Sequence, residues 1–145
     1  MLTVCFCAGL AAARTFTGPG LYTDASKWGG GLPVATDSDN FVKGLCGVTN
    51  HTDMLYGGKY FHVGYGTPGF VLANNAHFNI GTFRIARGVT GAFEQTGGSI
   101  SFGATSLGYA SGYGNAQLYL KDVAATNTEN IVVGNYEPKD AANTY

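Results

Sequence analysis

Charge is the scarcest ingredient of this sequence. Of its 145 residues, 12% are Asp, Glu, Lys or Arg, against roughly 25% in an ordinary globular chain. The formal net charge is −1, and no basic run occurs. Nucleic acid is therefore excluded as a partner, because phosphate binding needs a Lys/Arg footprint. Cysteine is also sparse: Cys5, Cys7 and Cys46. An odd count at this spacing excludes a disulfide framework. Cys5-x-Cys7 lacks the CxxC spacing and a nearby His, so it is not read as a metal site, and Cys46 reads as a small buried hydrophobe. No apolar run is long enough to span a bilayer, so no transmembrane segment is expected. Strong helix formers are few, which argues against long helices.

What is abundant is Gly, at 23 residues, with Thr, Ser and Asn beside it. Apolar residues make up 45%, enough for a core. This mix suits short strands joined by many turns. The length suits one domain. Met1 to Ala13 is apolar and ends in Ala11-Ala12-Ala13, an A-x-A cleavage pattern before Arg14. It has no positive n-region, and residues 1–13 read as a truncated signal peptide. Residues 14–38 are punctuated by Gly and Pro and hold the only Trp, Trp28. They are expected to cap the domain, with Trp28 plugging a core edge.

The remainder repeats. Phe61-His62-Val63-Gly64 is followed 22 residues later by Phe83-Arg84-Ile85-Ala86, and 22 later again by Thr105-Ser106-Leu107-Gly108. A fourth copy, Ile131-Val132-Val133-Gly134, comes 26 residues further on. A fixed step of this size points to a stacked repeat architecture. Shifted by 22, Phe61 falls on Phe83, Val63 on Ile85, Val71 on Phe93, and Phe78 on Ile100. Within each matched stretch the apolar residues lie two apart, the strand period. Gly64 to Gly69, Asn74-Asn75 and Gly97-Gly98 supply the turns between them.

The expected fold is all-β: a right-handed parallel β-helix, or β-solenoid, with about 22 residues per coil. The N-terminal segment would cap it. Three short strands per coil would stack about 4.8 Å apart. Matching inward residues would form ladders: Phe61/Phe83, Val63/Ile85/Leu107 and Phe78/Ile100. Coils are expected near 39–60, 61–82, 83–104 and 105–130, with a partial coil at 131–145. Phe41, 22 residues before Val63, marks the first. An insertion at Tyr109–Asn115 is expected to bulge at a turn. The last unit stops before a coil is complete, so the repeats are expected to continue beyond Tyr145, since a bare solenoid end is an unpaired sheet edge.

Two phrases carry a family resemblance. Phe16-Thr17-Gly18, Asp24-Ala25-Ser26-Lys27-Trp28, Leu32-Pro33 and Asp37-Ser38-Asp39 together resemble the opening of secreted bacterial repeat proteins. Phe93-Glu94-Gln95-Thr96-Gly97-Gly98-Ser99-Ile100-Ser101, with Leu107-Gly108, resembles the repeat phrase of autotransporter-type passenger domains. The resemblance implies a secreted or cell-surface protein with a structural or adhesive role.

Catalytic chemistry is hard to place. Glycoside hydrolysis needs paired carboxylates. No two of the 9 acids stack at the 22-residue step, and Glu94 has Leu72 one coil back. No catalytic residue and no cofactor is assigned. His51, His62 and His77 share no ligand spacing. Asp37 and Asp39 form a weak Ca²⁺ candidate, read mainly as an acidic turn. Tyr65, Arg87 and Tyr109 lie 22 apart and two residues after ladder positions. They would form one row near a turn, held by cation–π stacking. That row is also the candidate contact for a surface or extracellular polysaccharide. The leading expectation is a structural or adhesive solenoid. The alternatives are a polysaccharide-binding or pectate-lyase-like β-helix and a phage-type fibre segment.

Overall fold

A computed structural model describes residues 12–108 and 114–133. It contains eleven strands and one short 3₁₀ helix, Ala25–Lys27. The strands are β1 (Ala13–Thr17), β2 (Gly20–Leu21), β3 (Trp28–Gly29), β4 (Asp39–Thr49), β5 (Met54–Tyr65), β6 (Gly69–Arg87), β7 (Gly91–Phe102), β8 (Thr105–Leu107), β9 (Ala116–Lys121), β10 (Ala124–Asn127) and β11 (Ile131–Val133). All pair in parallel except β3, which runs antiparallel to β1. The chain is a β-solenoid of about 5 turns with about 23 residues per coil.

Three strand segments recur in each coil, and the expected ladders form. Phe61 pairs with Phe83, and Val63 with Ile85. Ile85 continues to Leu107, and Phe78 stacks under Ile100. The fourth copy closes the series, with Ile131 on Thr105 and Val133 on Leu107. The central phenylalanines pack edge to face: Phe83 and Phe93 have centroids 5.0 Å apart, and Phe78 and Phe93 5.4 Å. Such pairs add about 0.5–1.5 kcal/mol each beyond their buried area.

The step is not uniform. It is 22 from β6 to β7 (Gly69 to Gly91) but 25 from β7 to β9 (Gly91 to Ala116). The three added residues fall between Leu107 and Ala116, and most of the expected insertion at Tyr109–Asn115 lies outside the described residues. One expectation is corrected here. Phe41 does not lie beneath Val63. The step from β4 to β5 is 21, so Val42 takes that place and Phe41 lies under His62. A slip of one residue turns a side chain to the other face. Val42 is therefore fully buried, while Phe41 faces outward.

The turns stack as the strands do. Gly64, Ala86 and Gly108 follow the Val63/Ile85/Leu107 ladder, with φ of 81°, 63° and 74°. At Gly64 a Cβ would sit 2.6 Å from the Thr90 carbonyl oxygen, so glycine is required there. A second left-handed column holds Asn50, Asn75, Gly97 and Asp122, residue types that tolerate this region. In it the Asn75 side-chain amide donates to Asn50 Oδ1 at 3.3 Å.

The segment before β4 is built into the stack. β1 and β2 pair with β4 at a step of 26 (Ala13 to Asp39, Gly20 to Cys46). β3 then lies along β1. Trp28 is buried, its ring nitrogen donating to the Tyr22 carbonyl at 2.7 Å. Tyr22 in turn donates its hydroxyl to the Tyr56 carbonyl at 2.6 Å. Phe16, Tyr22 and Trp28 thus seal this end of the core by edge-to-face contacts of 5.3 and 4.9 Å. Among the described residues, no helix is long and apolar enough to cross a membrane.

Candidate functional site

The outward side of the 60–65 and 82–87 strands concentrates rings and cations. It arises because outward positions also stack at the coil step. Tyr65 lies beside Arg87 in register. The Arg87 guanidinium sits over the Tyr65 ring at 4.6 Å. Tyr109, the third member of the expected row, lies outside the described residues. A neighbouring row was not foreseen. Phe41, His62, Arg84 and Ser106 stand in one column. Phe41 and His62 stack face to face at 4.7 Å with rings 21° apart. Arg84 lies over the Tyr60 ring at 4.3 Å, and Lys59 at 5.3 Å from it. The sequence signal for this second row was present, but it required the 21-residue step rather than 22.

His62 is the one strongly perturbed group on this face. Although it points outward, its neighbours leave it 1% exposed. Its Nε2 lies 3.3 Å from Asp39 Oδ1, and its Nδ1 has no partner. Burial holds its pKa down at about 4, with help from the Arg84 charge; Asp39 opposes this. The imidazole is therefore neutral at pH 7, donating to the Asp39 carboxylate. A ring this buried cannot reach a substrate, so the His–Asp pair serves the wall. On this face the tyrosine rings are already covered by arginines. Each such contact is worth about 0.5–1 kcal/mol when partly exposed. The arrangement stiffens the sheet and leaves a positive, aromatic surface.

Asp37 and Asp39 are placed apart in role. Asp37 is buried at 2% exposure. Its carboxylate accepts from Arg14 Nε at 2.7 Å and from the Val34 backbone N–H at 2.9 Å. Asp39 serves His62. Among the described residues no three His, Cys, Asp or Glu side chains gather to hold a metal ion. Cys46 is buried, and burial pushes its thiol up to about 12. It is an unreactive core residue in the column below Val71. Cys5 and Cys7 lie outside the described residues.

The fold defines the chain as a β-solenoid. Comparison with known proteins finds no family model, no curated protein and no solved structure that matches it.

Proposed function

We propose that this chain is a structural and adhesive β-solenoid of the secreted or cell-surface kind, similar in role to autotransporter-type passenger repeats. The observation that carries the reading is the stack itself. Three segments per coil present long flat outer faces on a core of continuous ladders. Such a body holds side chains at fixed spacing over its whole length and needs no moving part. The repeat phrase at 93–101 supports an extracellular address. Polysaccharide is the partner this reading favours, because an outer face carries hydroxyl and amide side chains at coil spacing, in the row Thr49, Asn74 and Thr96.

Two measurements test it. Antibody labelling of intact cells that express the full chain should reveal it at the surface. Beads coated with the protein should be retained on extracellular polysaccharide. Labelling that requires permeabilised cells overturns the surface role. Release of reducing or unsaturated ends from pectin-like polymers would replace the scaffold by an enzyme.

A further inference from the structure

The outer face of the segment formed by β4, β6, β7 and β9 carries a groove of about 260 Å³. It runs between two outward rows. One is Thr49, Asn74 and Thr96, paired coil to coil. The other is Leu72, Glu94 and Tyr119, likewise in register. The floor is the inward column between them, where Ala73 lies over Val48. The side chains of this column point into the core, so the outward rows on either side stand above it as walls.

Tyr119 is 47% exposed and is the only exposed aromatic side chain among the described residues. Tyr60 and Tyr65 differ, since an arginine lies over each of their rings. The Tyr119 ring stands at one wall, with the Glu94 carboxylate one coil below it. An aromatic face next to hydrogen-bonding groups matches a sugar ring, whose C–H edges are weakly positive and whose hydroxyls surround them. The volume lies just below the range of about 300–1,000 Å³ for drug-sized ligands, so sugar units fit and a large cofactor does not. The polar row adds a spacing argument. Its side chains recur about every 4.8 Å along the axis, close to the length of one sugar unit in an extended chain.

The geometry points to this groove as a binding site for an extended neutral polysaccharide lying along the solenoid axis. Tyr119 is its stacking platform. Asn74, Thr49, Thr96 and Glu94 bond successive hydroxyls. Glu94 lies in the groove between Leu72 and Tyr119, so a polyuronate would meet like charge inside it, whereas Lys121, next to Thr96 in the polar row, lies past the groove's end. The site deepens the adhesive reading and rests on it.

The test is calorimetric titration of the full chain with neutral hexaoses of glucose, xylose, mannose and N-acetylglucosamine, and with hexagalacturonate. At least one neutral hexaose should bind, and its monosaccharide should bind more weakly. Tyr119→Ala should weaken binding about tenfold or more, the loss of one good stacking contact. Tyr119→Phe should keep it. Both variants should melt with the wild type, as Tyr119 is on the outside. Tyr119→Ala that binds as wild type overturns the site, and so does hexagalacturonate binding as tightly as any neutral chain. So does a wild type that binds no neutral hexaose. In each case bead retention, measured separately, decides whether the adhesive reading survives without the groove.

Discussion

His62 makes the stability of this protein pH-dependent in a calculable way. Its pKa falls from 6.5 to about 4 on folding, chiefly through burial. The unfolded chain therefore takes up a proton first as pH falls. Above about pH 6.5 the neutral ring is present in both states, and folding loses nothing to it. Between pH 6.5 and 4 the unfolded state is progressively favoured; below 4 both states are protonated. At about 1.36 kcal/mol per pH unit, the loss over that window is about 3 kcal/mol. His62→Phe removes the titration while keeping a flat ring to stack on Phe41. Asp39 is 33% exposed and stays hydrated after the change. Urea unfolding at pH 7.5, 6, 5 and 4 should show wild type losing about 3 kcal/mol more than His62→Phe. Taking the difference removes whatever the two proteins share. A difference that stays flat from pH 7.5 to 4 refutes the burial argument.

Other substitutions probe the stack. Phe83→Ala opens a cavity among Phe61, Phe93 and Phe102 and should cost about 3–5 kcal/mol in urea unfolding; a loss under about 1 kcal/mol would mean the ladder collapses into the gap. Gly64→Ala places a Cβ 2.6 Å from the Thr90 oxygen at a φ of 81°. It should cost about 2–3 kcal/mol, and an unchanged melting temperature would refute the turn geometry. Gln95 is fully buried, and its Nε2 donates to the carbonyls of Ala76, Gly97 and Ser99, while its Oε1 has no partner. Gln95→Leu removes that orphaned oxygen but also the shared donor of three carbonyls. The second effect should win, with a net loss of about 1–3 kcal/mol. A more stable variant would show that the orphaned oxygen dominates.

The interior was the legible part of this protein, for a physical reason. A ladder buries like residues on like residues, so Phe61/Phe83 and Val63/Ile85/Leu107 repeat in sequence as they repeat in space. The turns were partly legible, because Asn75 and Gly97 belong to the few types that accept a left-handed backbone. Register across the insertions was not legible. Counting 22 back from Val63 turns Phe41 inward, whereas the 21-residue step makes it the base of the His62 stack. Counting 22 back from Tyr119 gives Gly97, whereas the 25-residue step sets it beside Glu94. The step also changes at a bulge between Tyr56 and Gly58, inside β5, where no apolar pattern sets the count.

The same division bears on where function can reside. An inward position is constrained twice, by its own coil and by the coils on either side. Replacing Val63 disturbs both Val42 and Ile85. An outward position does not reach into the core, so its chemistry can change without unstacking it. The two outer faces show two results of that freedom. Around His62 the outward groups have closed on one another, so that an imidazole is 1% exposed on the outside of the sheet. Beside Ala73 they stand apart, with Tyr119 47% exposed. A closed face contributes stability and an open one contributes binding. The pH experiment on His62 and the sugar titration on Tyr119 therefore test two sides of one rule. His62→Phe should alter the pH dependence of stability with sugar binding unchanged, and Tyr119→Ala should do the reverse.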